Sequence, residues 1–97
     1  MTGVQTCALP ILYNLSTGTK NVAVGYQGLY NNLSGSNNVA LGHSALLNNS
    51  NGDNNIAIGY YSLVNNTLND NNIAIGTYAM YSNKTGYQNI AIGRDAL

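Results

Sequence analysis

The sequence predicts an all-β fold, a parallel β-solenoid (β-roll) with coils of 17 residues, and three observations predict it. First, the phrase Asn-(Val/Ile)-Ala-(Val/Leu/Ile)-Gly occurs five times at a constant spacing, at 21–25, 38–42, 55–59, 72–76 and 89–93. A fixed period of this size is typical of stacked repeat architectures. Second, branched residues alternate with alanine inside the phrase, as they do in strands. Third, asparagine and glycine, which favour turns, are frequent between the copies.

The first element of each coil is the strand. Counting Asn21 as position one, positions two and four point to one face of the strand and the alanine at position three to the other. Both faces are apolar, which predicts burial on both sides. The glycine at position five ends the strand and permits a bend with positive φ. The residues that begin and end the copies are Asn21 and Gly25, Asn38 and Gly42, Asn55 and Gly59, Asn72 and Gly76, and Asn89 and Gly93.

The second element is the apolar stretch at positions eight to ten, for which we predict another short strand. We expect its central side chain, at position nine, to point inward. Positions eleven to seventeen are rich in Asn and Gly and predict turns that tolerate left-handed conformations. With coils about 4.8 Å apart, equivalent residues stack, so we expect Ile and Leu columns in the core and hydrogen-bonded ladders of Asn. Position nine is Leu29, Leu46, Leu63 and Met80 in the coils that begin at 21, 38, 55 and 72.

Residues 1–11 share nothing with the repeat. They resemble the translation of a common sequencing-library adapter, so we interpret 1–11 as not native and 12–97 as the β-solenoid segment. We expect this segment to be truncated at both ends. Cys7 and Pro10, the only cysteine and the only proline, then carry no functional meaning. The segment comprises a partial coil at 12–20 and coils that start at 21, 38, 55, 72 and 89.

The composition limits the possible partners. The chain of 97 residues has three basic and three acidic side chains and a formal net charge of +0. Nucleic acids and anionic membranes need clustered Lys and Arg, so we expect neither as a partner. No apolar run reaches the ~18 residues of a transmembrane helix, which predicts no membrane insertion by this segment.

No constellation of residues indicates catalysis or a cofactor. General acid–base chemistry needs a paired set of titratable groups, whereas the repeats offer isolated ones. We therefore predict that the segment is not an enzyme and binds no cofactor. His43 is the only histidine and has no cysteine or glutamate partner for a metal or a catalytic triad, so we expect an exposed turn residue.

The weak candidates for a metal site are Asp53 and Asp70, at position sixteen of consecutive coils. Their carboxylates are expected about 5 Å apart, one strand spacing, with asparagine oxygens nearby, as calcium prefers. The equivalent residues Thr19, Ser36 and Tyr87 interrupt the column, which favours two solvated turn carboxylates and no metal.

Five asparagines begin Asn-x-Ser/Thr triplets, which are glycosylation acceptors in a eukaryotic secretory context. The same residues form turns through bonds from side chain to backbone, and we favour the turn interpretation. These residues are Asn14, Asn32, Asn48, Asn65 and Asn83.

Tyrosines are the candidates for surface binding. They cluster at positions six, seven and ten, and we expect those at six and seven to face solvent beside the bend. Exposed aromatic rings beside Asn and Gln could stack on sugar rings. The alternative is that they cover the edge of the solenoid. The candidate residues are Tyr26, Tyr60, Tyr61 and Tyr78.

A coil of this length is thin, with only about four inward apolar side chains. Small stacks of this kind gain stability by association. We therefore predict self-association through one apolar face, as a symmetric homotrimer.

The phrases Asn-Asn-Val-Ala-Leu-Gly-His-Ser-Ala-Leu and Asn-Asn-Ile-Ala-Ile-Gly-Tyr-Tyr-Ser-Leu resemble known repeats. They are similar to the head repeats of YadA-like trimeric autotransporter adhesins and, still more, to the Asn/Gly-rich repeats of phage tail-fibre and bacterial surface-fibre proteins. The resemblance covers 12–97 and implies a left-handed parallel β-roll, a trimer, and attachment to host surfaces. It implies an extracellular, cell-surface or virion location, a glycan or protein receptor, and no catalytic residue. The period here is longer than that of the usual adhesin head repeat.

Overall fold

The computed structural model describes residues 4–5 and 18–97. Within them, six short strands form one parallel sheet and follow one another in chain order. Each strand pairs with the next in the register of the repeat, as Ala40 pairs with Ala57. The arrangement confirms the predicted parallel β-solenoid with 17-residue coils. The strands are β1 (Val4–Gln5), β2 (Asn21–Val24), β3 (Val39–Leu41), β4 (Ile56–Ile58), β5 (Ile73–Ile75) and β6 (Ile90–Ile92).

Strand β1 lies in the stretch that we interpret as not native. Val4 pairs with Asn21 and Gln5 with Val22, which is the offset of the later coils. Backbone groups make these bonds whatever side chain they carry, so the pairing does not distinguish a native coil from an appended one. The assignment of residues 1–11 stays a prediction. Residues 6–17, which include most of the predicted partial coil, lie outside the described residues.

The interior of the solenoid is narrow, and the strand fills it with small side chains. The alanine at position three is fully buried in β2 to β5 and nearly so in β6. The residue at position nine belongs to the same buried cluster, which confirms that it points inward. Position eight carries a small residue that packs against the strand. A Cβ atom added to Gly28 would lie 3.5 Å from the Cβ of Ala23. The core therefore contains the alanine column at position three, the column of leucine with methionine at position nine, and small residues at position eight such as Ala45 and Ala79.

The branched residues at positions two and four lie outside this core, so the expectation of isoleucine columns inside it is wrong. Successive side chains on a strand point to opposite faces, and burial of the alanine turns both of its neighbours outward. Ile56 and Ile58 are half-buried on either side of the fully buried Ala57. Interiors pack closely, and this thin coil accommodates a methyl group where it would not accommodate a larger side chain.

The prediction of a second strand at positions eight to ten is wrong for the coils that the structure describes, which turn there instead. Leu29, Leu46 and Leu63 have φ of 50°, 52° and 48°, in the left-handed region. The residue two positions before each leucine also has a φ in this region. A chain that alternates between left- and right-handed residues curls and cannot form an extended strand. Adjacent coils nevertheless bond here, since the N–H of Leu29 donates to the carbonyl of Ala45 (3.1 Å).

The bend predicted at position five is confirmed. The five glycines have φ between 118° and 131°, a region that side chains avoid. The corner is also crowded, because a Cβ on Gly25 would lie 2.8 Å from the carbonyl carbon of Gly42 in the next coil. Both the dihedral angle and the stacking therefore require glycine.

Two asparagine ladders run through the interior. At position one, the N–H of Asn38 donates to Oδ1 of Asn21 in the preceding coil (2.9 Å). At position twelve, Nδ2 of Asn49 donates to Oδ1 of Asn32 (2.8 Å) and to the carbonyl of Gly52 (2.9 Å). The predicted asparagine ladders are confirmed, and the bond from Asn49 to Gly52 is of the side-chain-to-backbone kind predicted for the turn. The burial of position twelve is not predicted from the sequence. Asn32 is fully buried, so its amide is not exposed as a glycosylation acceptor in the folded chain.

Candidate interaction surface

The outward side chains of the strands form a continuous apolar surface, which we call the aliphatic stripe. It has two straight columns, because the strands pair without any shift in register. In the coils with a described neighbour on both sides these residues are half-buried, whereas Ile90 and Ile92 in the last coil are 67% and 69% exposed. The stripe consists of Val22, Val24, Val39, Leu41, Ile56, Ile58, Ile73, Ile75, Ile90 and Ile92.

Aromatic rings stack along position six, just beyond the glycine corner. The ring of His43 stacks on Tyr26 (centroids 5.1 Å apart) and on Tyr60 (5.3 Å) in the adjacent coils. Its Nδ1 also lies 3.0 Å from the hydroxyl of the buried Ser44. His43 lies in a turn, as expected, but the expected exposure is wrong, because the ring is half-buried within an aromatic stack.

Four tyrosines continue this surface, and we call them the tyrosine cluster: Tyr60, Tyr61, Tyr78 and Tyr81. Tyr60 and Tyr61 stack with centroids 4.4 Å apart and planes 11° apart. Tyr78 meets both of them edge-on, at 5.7 Å and 82° and at 5.8 Å and 87°. The sequence indicated positions six and seven, but Tyr81, at position ten, was not singled out. Its spacing from Tyr78 gave no sign that a turn would bring the two rings together (5.4 Å).

The predicted exposure of the four candidate tyrosines holds in part. Tyr26 and Tyr60 are each 44% exposed, whereas Tyr61 and Tyr78 are half-buried. The adjacent Tyr61 and, to a lesser extent, desolvation raise the pKa of Tyr60 above its usual value. The ring faces are turned toward neighbouring rings, and this favours the interpretation that the tyrosines cover the edge of the solenoid.

The polar side of the coil holds the two aspartates. The N–H of Ser36 donates to Oδ1 of Asp53 (2.7 Å), and the N–H of Asp53 donates to Oδ1 of Asp70 (2.7 Å). Each carboxylate therefore accepts a main-chain N–H of the preceding coil, and the two lie on consecutive coils as expected. Among residues 18–97, no three His, Cys, Asp or Glu side chains group together as metal ligands.

The remaining surface is mixed, because exposed polar turn residues lie beside Leu33, Leu68 and Tyr87, which are also exposed. The described coils have no pocket, and no helix in the described part of the chain is long and apolar enough to cross a bilayer. Comparison of the chain with protein-family models, with curated proteins and with solved structures gives no match. The aliphatic stripe, the aromatic surface and the polar side of the coil are therefore the candidate interaction surfaces.

Proposed function

We propose that this chain is a structural and adhesive segment of a surface or virion fibre, in which copies associate through the aliphatic stripe. The observation that carries the proposal is the outward position of the branched residues. Single exposed apolar residues are normal on proteins, but contiguous apolar patches mark interaction sites. Ten aliphatic residues in two straight columns make such a patch.

A second copy of the same chain is the partner that fits this stripe best. Its coils have the same rise, so the side chains of two copies stay in step along every coil. A partner with a different spacing would fall out of step within a few coils. The stripe is also uncharged, and burying it leaves no ion without a partner.

A homotrimer is the form of assembly that we propose. The aliphatic stripe alone does not specify three copies, because two copies would also pack as two facing sheets. The number three is supported by the resemblance to YadA-like adhesins and fibre proteins. In the proposed trimer the stripes meet at a common axis, and the variable positions remain available to a glycan or protein receptor. The segment would act outside the cell or on a virion, as a rod without catalytic activity.

Substitutions in the stripe test this assembly. We expect the double variant Ile58→Thr with Ile75→Thr to dissociate at concentrations at which the unmodified chain is associated. Threonine keeps the branched shape that strands favour. The free energy of association falls by about 0.8 kcal/mol for each CH₂-sized group that is no longer buried in the interface. Light scattering after size exclusion measures the mass, and circular dichroism checks the fold.

The matched control is Leu68→Thr, which removes an aliphatic side chain that is 57% exposed and lies outside the stripe. We expect its mass to equal that of the unmodified chain. If the double variant keeps its fold and its mass, the stripe is not the interface. Equal dissociation of the control and the double variant would also argue against a specific role of the stripe.

A carbohydrate-binding module that uses the Tyr- and Asn-rich turns is the alternative. A sugar stacks on an exposed aromatic face, whereas Tyr60 and Tyr61 turn their faces to each other and to adjacent coils. The ring geometry therefore supports carbohydrate binding less well than the aliphatic stripe supports assembly of copies of this chain. Glycan-array binding that disappears in Tyr60→Ala with Tyr61→Ala, while the fold is retained, would favour it.

A further inference from the structure

The tyrosine cluster brings phenol rings of two adjacent coils into contact at the edge of the solenoid. We propose that it is a site of oxidative cross-linking, at which Tyr78 couples to Tyr61 or Tyr60 as dityrosine. Either product joins the coil that begins at 55 to the coil that begins at 72. The co-reactant is a one-electron oxidising system, a haem peroxidase with hydrogen peroxide. The inference concerns a covalent modification within one chain and does not rest on the proposed fibre function.

The ring geometry favours coupling through Tyr78. A dityrosine bond joins two ring carbons that are each ortho to a hydroxyl, so the two rings must lie close enough for these carbons to meet. The ring centroid of Tyr78 lies 5.7 Å from that of Tyr60 and 5.8 Å from that of Tyr61 in the adjacent coil, nearer than Tyr81, whose centroid is 6.3 Å from that of Tyr61. Tyr60 and Tyr61 present faces to each other and are neighbours in the chain, so a bond between them would not link coils.

Tyrosines are the accessible one-electron donors among residues 18–97. The chain has no tryptophan, Met80 is fully buried, and the single cysteine lies outside the described residues. Within the cluster, Tyr60 and Tyr81 are 44% and 40% exposed. They can lose an electron to an oxidant in solution, and their ring centroids lie 5.7 and 5.4 Å from that of Tyr78.

The reaction balances with the peroxide as the only oxidant. Each of two phenols loses one electron and its hydroxyl proton, which gives two phenoxyl radicals. The radicals form one C–C bond between ortho carbons, and each bonded carbon then passes its hydrogen to the ring oxygen, which restores the phenol. The protein loses two hydrogen atoms in all, and hydrogen peroxide takes up the two electrons and two protons to become water.

The fixed positions of the rings make coupling within a chain faster than coupling between chains. Groups held in contact react at a high effective concentration, whereas two molecules must first meet. The bond would close a short loop between adjacent coils and thereby restrict the unfolded chain, as other covalent cross-links do. A cross-linked chain should therefore unfold at a higher temperature than the untreated one.

Peptide mapping after peroxidase treatment tests the proposal. A protease that cleaves before aspartate separates 53–69, which contains Tyr60 and Tyr61, from 70–94, which contains Tyr78. We expect dityrosine fluorescence and a joined 53–69/70–94 product that is lighter than the sum of its parts by two hydrogen atoms. The product should be lost in Tyr78→Phe, which removes only a hydroxyl.

The matched control is Tyr87→Phe, because Tyr87 is 57% exposed, lies in the same 70–94 peptide and is outside the cluster. This variant should give the joined product in the same yield as the unmodified chain. A mixture of isotope-labelled and unlabelled chains shows whether the bond lies within one molecule. A product with mixed labels, or one that persists in Tyr78→Phe, would overturn the proposal.

Discussion

Position fifteen shows how strongly adjacent coils constrain a single residue. Three coils carry glycine there, and a Cβ on Gly52 would lie 2.5 Å from Oδ1 of Asn49 and from the carbonyl oxygen of Asn69. Asn69 takes this position in the coil that begins at 55 and is buried. Its Nδ2 has no hydrogen-bond partner among the described residues. A buried donor without a partner costs about 1–3 kcal/mol, so Asn69 is a local defect in the stack.

We predict that Asn69→Gly raises the midpoint of thermal unfolding. The main-chain carbonyl of residue 69 would still accept from Nδ2 of Asn55 (2.8 Å) and of Asn66 (3.0 Å). Loss of the unpaired amide outweighs the chain entropy that glycine adds, about 0.5–1 kcal/mol. Circular dichroism at one protein concentration measures the change. The reverse substitution, Gly52→Asn, should lower the midpoint, and a lower midpoint for Asn69→Gly would show that the account of this position is wrong.

At the scale of the element, each strand separates a small inward residue from two larger outward ones. The inward alanine is fully buried in β4, and the isoleucines beside it are half-buried. Enlarging an inward residue must displace the leucine column or the asparagine ladders, whereas enlarging an outward one meets solvent or a partner. The two faces of one strand should therefore respond differently to added methyl groups.

We predict that Ala57→Val destabilises the fold by about 1–3 kcal/mol, the usual cost of overpacking a filled core. Val39→Ile is the control, because it adds a methyl group to the outward face and copies the residue of the next coil. We expect this control to change the free energy of unfolding by less than about 0.5 kcal/mol. Denaturant unfolding measures both variants. Equal losses of stability would mean that the alanine is not the inward residue.

Much of this architecture can be predicted from the sequence, and the failures have physical causes. The spacing of Asn21 and Asn38 fixes the coil length and the register, and Gly25 fixes the corner. The inward face could not be predicted, because both faces of Val-Ala-Val are apolar. The turn at Leu29 was mistaken for a strand, because leucine seldom adopts positive φ and here does so only as part of a stacked column.

The candidate surface was predicted only as a set of residue types. The sequence shows that tyrosines recur at positions six and seven, and Tyr60 is exposed as expected. It does not show that Tyr26, His43 and Tyr60 stack on one another, because stacking depends on side-chain rotamers at a corner. Nor does the sequence show that the Asp53 carboxylate accepts a backbone N–H. An aspartate between asparagines is found both in turns and in cation sites, so its sequence context does not distinguish the two.

At the scale of the whole molecule, the solenoid measures 31 × 22 × 15 Å and presents surfaces of different chemistry. The aliphatic stripe covers the strand side, stacked rings lie beyond the glycine corner, and the remaining turns carry mostly polar residues together with the exposed Leu33 and Leu68. A formal net charge of +0 provides no long-range attraction to an oppositely charged partner. Association should therefore depend on burial of the stripe and respond little to ionic strength.

Sedimentation equilibrium of the full chain, over a range of concentrations and at two salt concentrations, tests this assembly most directly. We expect a mass three times that of the 10.2 kDa chain, with little change on addition of salt. A mass of one chain at every concentration, in a protein whose circular dichroism shows the β fold, would contradict it.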